Sequence, residues 1–206
     1  MKKFSYFFLG FCLYIPSVLI NAEIVIDGKL DEDEWQNARQ ISSFYEVFPY
    51  TLNPVEDIKT VILIQESSEG IFLGFKNYQS NESMRSQSHQ RDNERSIADK
   101  NGVTIDFDAD KLSGYQFFVS SSGSIGDATY SNENERSYDW DADWLSAAST
   151  EDGVWYSEMF IPWTVAPMKA QSGEKRKVRI AFYRMLAGPQ RVIATIKGSS
   201  YENLYL

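Results

Sequence analysis

The residue order predicts an all-β fold: an antiparallel two-sheet β-sandwich, jelly-roll or immunoglobulin-like, with about nine or ten strands and one short N-terminal helix. Three observations carry this. Apolar and aromatic runs of strand length recur along the chain, separated by clusters of Ser, Gly, Asp and Asn. Beyond one short stretch, nothing after residue 22 sustains a helical apolar period. Aromatic residues make up 15% of the 206 residues, and many sit in the strand-like runs, where a pleated surface buries them well.

The first 22 residues have the layout of a secretory signal peptide: Lys2 and Lys3, an apolar run from Phe4 to Ile20, and the small Ala22. Cleavage is expected between Ala22 and Glu23. A membrane anchor is the alternative, but Gly10 and Pro16 break the run and no stop-transfer charges follow it. The one cysteine, Cys12, lies inside this segment behind the bulky Phe11, which does not suit a lipoprotein cleavage box, so the processed chain has no thiol for a disulfide or a zinc site. The expected product is exported, in the periplasm, associated with the outer membrane or outside the cell, with no direct membrane insertion after cleavage.

Residues 23–206, about 180 of them, suffice for one domain with a sizeable core. They carry 18 basic and 29 acidic residues, a balance of about −11, which repels phosphate backbones and excludes nucleic acid as an expected partner.

In chain order, Glu23 to Asp27 is expected to be a short strand closed by the turn pair Asp27-Gly28. Asp31 to Ala38 is expected to be the short helix, with acids in its first turn and Trp35 facing inward. Val61–Gln65 and Ile71–Tyr78 form a predicted hairpin, with Val61 through Ile64 apolar on both faces as in a central strand. Residues 79 to 101 are almost wholly polar and read as a long surface loop. Val103, Ile105 and Phe107 alternate with Thr104, Asp106 and Asp108, which predicts one buried face and one face bearing two carboxylates. Tyr115–Ser120 continues the meander, and Ser121 to Gly126 is its next turn. Ser131 to Asp143 is a second polar stretch, distinguished by Tyr138, Trp140 and several acids. Trp155–Ile161 is a strand with Trp155, Met159 and Ile161 on one face, stopped by Pro162, which cannot donate to a ladder. Val178–Met185 and Arg191–Lys197 complete the count.

Taken in order, VIDGKLDEDEWQNA from Val25, GYQFFVSSSGSIGDATY from Gly114, WDADW from Trp140 and DGVWYSEMFIPW from Asp152 resemble the family 9 carbohydrate-binding modules. The variant resembled is the one found at the N-terminus of bacterial envelope proteins with a C-terminal outer-membrane barrel. The matching positions include Ile26-Asp27-Gly28, Trp35, Gly123, Asp127, Trp144, Trp155, Glu158 and Ile161-Pro162. Where the family usually has Asn-Pro before its turn glycine, this chain has Ser120-Ser121-Ser122. The resemblance implies a noncatalytic carbohydrate-binding module, free-standing or derived from a barrel-bearing protein. Two other readings are an envelope structural or protein-interaction domain that binds no sugar, and an accessory domain of a glycoside hydrolase.

Site expectations follow. Flat aromatic faces receive the C–H faces of sugar rings while carboxylates, amides and guanidinium groups meet the hydroxyls. Tyr138 and Trp140 are therefore candidates for stacking, and Arg91, Asn132 and Asp141 for polar contacts. Trp140 fits structural packing equally well, and Trp144 fits the core. Asp139, Asp141 and Asp143 form a D-x-D-x-D run that fails as an EF-hand, since its sixth position is Trp144 and its twelfth Thr150. The family resemblance keeps a structural Ca2+ in play, with Asp106, Asp108, Asp139 and Asp143 as candidate ligands. Catalysis is not expected: His89 is the only histidine, no serine sits in a nucleophile elbow, and among 29 acids a close carboxylate pair carries no information.

Overall fold

The computed structural model describes residues 24–93, 95–131, 135–170 and 176–196, with the backbone of 202–205. The proposed leader, its cleavage point and Asn132 lie outside the described residues. In chain order the strands are β1 (Arg39–Ile41), β2 (Tyr45–Phe48), β3 (Thr60–Glu66), β4 (Gly70–Tyr78), β5 (Lys100–Asp106), β6 (Ser113–Ser120), β7 (Ile125–Ser131), β8 (Glu135–Ser137), β9 (Leu145–Glu151), β10 (Val154–Pro162), β11 (Lys177–Leu186), β12 (Arg191–Ala194) and β13 (Glu202–Tyr205). They form two antiparallel sheets, one of five strands in the order β1-β3-β4-β10-β9 and one of eight, seven of them in the order β2-β12-β11-β5-β6-β7-β8 and the eighth, β13, beside β11. In the larger sheet β12 and β13 pair with different halves of β11.

The core lies between the sheets. From the smaller sheet come Ile62, Ile64, Ile71, Leu73, Phe75, Met159 and Ile161, and from the larger Val103, Ile105, Phe117, Val119, Val178, Ile180, Phe182 and Ile193, all buried. The period-2 patterning read from the sequence puts these residues inside, because successive side chains of a strand point to opposite faces. Trp155 is fully buried on the same face as Met159 and Ile161, as expected.

Four expectations are corrected. The strand count is thirteen among the described residues, because β1, β2 and β8 are short pieces with no legible alternation. Ile24 to Asp27 form no strand. Their N–H groups turn instead to side chains: Val25 to the Glu32 carboxylate at 3.0 Å, and Asp27 to that of Glu158 at 3.0 Å. The expected helix over 31–38 is a 3-10 stretch, Asp33–Asn37, without a side-chain cap at its start, although Trp35 does face inward. Finally, β5 is buried on both faces rather than one.

The N-terminal strap reinforces the smaller sheet from outside. Ile24, Trp35 and Ala38 pack with Leu63, and with Val61 and Phe72 on the outward face of β3 and β4. Gly74 lets the strap approach, since a β-carbon there would lie 2.6 Å from Leu30 and 3.3 Å from Trp35. The strap is also tied down by Glu158 on β10, whose Oε2 accepts the Gly28 N–H at 2.7 Å, while the Gly28 carbonyl accepts the Ser149 hydroxyl at 2.6 Å. Gly28 has φ +89°, a conformation that disfavours other residues. Glu158 is wholly buried and its Oε1 has no hydrogen-bond partner among the described residues, so burial pushes its carboxyl up to about 7 despite the two donated N–H groups.

Candidate ligand-binding groove

A polar knot fixes the loops at one end of the larger sheet. Asp127, fully buried on β7, accepts the Trp144 indole N–H at 2.9 Å, the Ala142 N–H at 3.2 Å and the Arg91 guanidinium. Arg91 further pairs with Asp141 at 3.1 Å and donates to the Ala142 carbonyl at 2.9 Å. Asp92 accepts the Asp127 N–H at 2.8 Å, and its carboxyl is raised by burial first and by the neighbouring Asp127 charge. The serine turn that departs from the family pattern has a structural role here. Ser121 donates to the Arg85 carbonyl at 2.9 Å, Ser122 donates to that of Gln87 at 3.2 Å, and the Ser124 hydroxyl accepts the His89 N–H at 2.9 Å, so the long polar loop is stitched to the sheet.

These contacts take up three of the residues expected to meet sugar. Arg91 and Asp141 pair with each other within the knot, and Trp140 stands edge-on to Tyr115 at 5.0 Å and to Phe117 at 5.8 Å, half-buried as cover for the core. Trp144 is buried against Phe117.

The metal candidates do not assemble. Asp106 is buried and accepts the Asp108 N–H at 3.2 Å and the Lys111 N–H at 2.8 Å, which closes the turn after β5. Asp108 accepts the Lys169 N–H at 2.8 Å and pairs with Arg176 at 3.6 Å. Asp139 is exposed and accepts the Ser137 hydroxyl at 3.1 Å, and Asp143 is exposed. Among the described residues no three carboxylate, histidine or cysteine groups converge as a cation site, and carboxylates already spent on N–H groups and cations suit Ca2+ poorly.

Tyr138 is different, because it lines a groove of about 360 Å3 on the outward face of the larger sheet, together with Lys100, Gln116, Phe118, Arg136 and Tyr183. Its floor rests on an alternation across strands that sequence reasoning missed. Tyr183 of β11 pairs with Gly102 of β5, Gly102 with Phe118 of β6, and Phe118 with Gly126 of β7. Each ring occupies the space beside a glycine: a β-carbon would fall 2.1 Å from the Tyr183 ring at Gly102, and 2.2 Å from the Phe118 ring at Gly126. Isolated glycines in strand patterns were the available signal, since they mark places where something approaches the backbone closely.

Polar groups converge above this floor. Arg136 lies 5.0 Å from the Tyr138 ring centre and 5.9 Å from that of Tyr130, whose hydroxyl donates to Gln116 at 3.4 Å. The buried Lys100 places its ammonium 5.2 Å from the Phe118 ring and donates to the Asn93 carbonyl at 3.2 Å. Burial holds the Tyr183 hydroxyl well above its ordinary range, so it stays protonated as a donor at neutral pH, with Tyr130, Tyr138 and Arg136 close enough to act on it. An aromatic floor ringed by an amide, phenols and two cations can bind a flat, hydroxyl-rich ligand on one face and fix its orientation by hydrogen bonds.

No family model matches this sequence. No curated protein matches it either. Solved structures do. A family 9 carbohydrate-binding module from Caldicellulosiruptor kristjanssonii in complex with glucose is similar at TM-score 0.61 and 11% identity, covering 88% of this chain and 90% of that one. A family 9 module from the same organism in complex with cellotriose is similar at TM-score 0.55 and 12% identity, over 84% of this chain and 78% of that one. A structure described as a putative carbohydrate-binding protein, from Bacteroides uniformis, is similar at TM-score 0.61 and 12% identity, over 82% and 87%. The chain thus has the fold of the family 9 modules, as the order of its motifs implies.

Proposed function

We propose that this chain is an exported, noncatalytic carbohydrate-binding module whose ligand lies in the groove over β11, β5, β6 and β7. The observation that carries the reading is the floor of Tyr183 and Phe118 set against Gly102 and Gly126, with Tyr138, Gln116 and Arg136 gathered at its rim. The half-buried Tyr138 and Tyr183 rings offer surface to sugar C–H groups over the buried Phe118, and the rim supplies donors and acceptors for hydroxyls. A volume of about 360 Å3 falls within the roughly 300–1,000 Å3 of small-ligand sites. The likeness to modules solved with glucose and cellotriose supports the same ligand class. Tyr138 is the stacking residue retained from the sequence expectation, while Arg91, Trp140 and Asp141 act by holding the loops in place.

A larger hollow of about 640 Å3 on the outward face of the five-stranded sheet fits sugar less well. Its aromatic residues, Phe72 and Phe160, stand 4.6 Å apart and are tilted by 34°, so each spends ring surface on the other. Calorimetric titration with a panel of soluble oligosaccharides at millimolar concentration tests the reading. Heat of binding that Tyr138→Ala abolishes or weakens is expected. No heat with any glycan would refute it and favour the envelope protein-interaction domain, for which the exposed Phe48, Tyr50 and Leu145 offer contact surface. Export rests on the first 22 residues and predicts a mature N-terminus at Glu23, which mass spectrometry of envelope-derived protein checks.

A further inference from the structure

The outward face of the five-stranded sheet carries the larger hollow, about 640 Å3, between the strap and the end of the sheet where β3 turns into β4. Ile24 and Ile26 of the strap, Leu145 of β9 and the half-buried Phe72 and Phe160 give it an apolar wall. Its charged lining is Glu34, from the 3-10 stretch, with Glu66 and Glu69 of the hairpin, and no lysine or arginine among the described residues. None of these glutamates has an ion-pair partner among the described residues. Glu34 Oε2 is closed off from solvent and accepts no hydrogen bond there. A carboxylate oxygen held out of water without a donor is unfavourable, and a cation beside it relieves the penalty.

We infer that this hollow binds a small organic cation, an ammonium or guanidinium group on an apolar body, at a site separate from the sugar groove on the other sheet. A bare metal ion does not fit, since no three acidic groups converge as a metal-ligand set among the described residues. The carboxylates stand around the hollow instead, and its volume falls within the roughly 300–1,000 Å3 of small-ligand sites. A cation with an apolar body answers both features. Its charged end meets the glutamates while its body packs on Ile26, Phe72 and Phe160, a contact that needs no flat ring face and so tolerates the tilt of the two phenylalanines. Aromatic rings beside a cation add an attraction of their own. Carboxylates along a concave, partly apolar wall concentrate cations there, and the net charge of −9 acts in the same direction.

The test is ligand-observed NMR and calorimetry of the processed chain with phenethylammonium, its neutral counterpart phenethyl alcohol and the anion phenylacetate, each at low and moderate salt. The expected result is binding of phenethylammonium about tenfold tighter than phenethyl alcohol, with phenylacetate unbound. That preference shrinks severalfold as salt rises from about 50 to about 200 mM. Glu34→Gln, which keeps the shape of the side chain and removes its charge, weakens the ammonium about fivefold. Glu66→Gln, at an exposed position where folding is not at stake, weakens it about twofold. Glu82→Gln, an exposed acid outside the lining, changes nothing. Equal affinity for the ammonium and the alcohol overturns the proposal, as does an ammonium affinity that neither Glu34→Gln nor Glu66→Gln alters. Binding that appears only once the α-ammonium at Glu23, next in sequence to Ile24, is blocked also overturns it, because the hollow then belongs to the chain's own terminus.

Discussion

Over the five-stranded sheet, outward-pointing Val61, Leu63 and Phe72 are roofed by a separate piece of chain, the strap of residues 24–38, whose Ile24, Trp35 and Ala38 complete a second hydrophobic cluster. Over the eight-stranded sheet, Phe118 and Tyr183 sit against glycines of neighbouring strands instead, and form the floor of an open groove. Both faces start from the same alternation of side chains. One spends its apolar surface on stability and keeps an acid-lined hollow beside the strap. The other leaves the half-buried Tyr138 and Tyr183 and the exposed Arg136 around an opening. The difference shows that an outward sheet face can keep an open groove when its aromatics are accommodated sideways, by glycine, instead of being covered from above.

The sharpest way to break the contrast is to remove the roof. Trp35→Ala takes away a buried indole and is expected to cost about 3–5 kcal/mol in denaturant unfolding. Ligand affinity of the fraction that stays folded is expected to be unchanged, because the groove lies on the other sheet. A loss of affinity equal to the loss of stability would show that the two faces are not independent.

Next in size is the pH dependence set by Glu158 beneath the strap. Its folded-state carboxyl titrates near 7, above its unfolded value, so the folded protein holds the extra proton. The stability it contributes is fully present below about pH 4.5 and is lost as pH rises through about 7, a swing of up to about 3 kcal/mol. Denaturant melts from pH 4 to 8 are expected to show this fall in the parent protein. Glu158→Gln, which still accepts the Asp27 and Gly28 N–H groups, is expected to flatten it.

On the groove side, Gly102→Ala places a methyl where the Tyr183 ring lies, 2.1 Å from its nearest atom. The ring must lift from the floor. The expected cost is about 1–3 kcal/mol of stability, together with loss of measurable glycan binding. Glycan binding at parental strength would remove the Tyr183 ring from the site. The smallest effect is that of Tyr138→Ala: affinity weakens about threefold to tenfold, the worth of one aromatic contact, with the melting temperature nearly unmoved.

Much of the fold was legible in the sequence because strand alternation is local. The hairpin of β3 and β4, the buried face of β10 and the turn of serines after β6 follow from neighbours a few residues apart. Edge strands β1 and β2 were not legible, since three or four half-exposed residues carry no periodic signal and pair only because a longer strand lies beside them. Ile24 to Asp27 looked like a strand because β-branched residues favour one, but their N–H groups are bound by the carboxylates of Glu32 and Glu158, and the second of these comes from far along the chain. The site was less legible still. Trp140, Arg91 and Asp141 have the right chemistry for sugar, and it is the position of Asp127 and of the Tyr115 and Phe117 rings that gives them partners within the fold as well.

By itself the sequence determined which residues can be inside: alternation, turn glycines and the order of aromatic and acidic motifs leave few ways to fold other than two packed antiparallel sheets. Only the tertiary structure decided where the groove forms. Tyr183, Gly102, Phe118 and Gly126 come from four different strands and meet only through the cross-strand register. Register is fixed by burying the opposite face of the sheet, so the groove is a consequence of the core and has no local signature of its own.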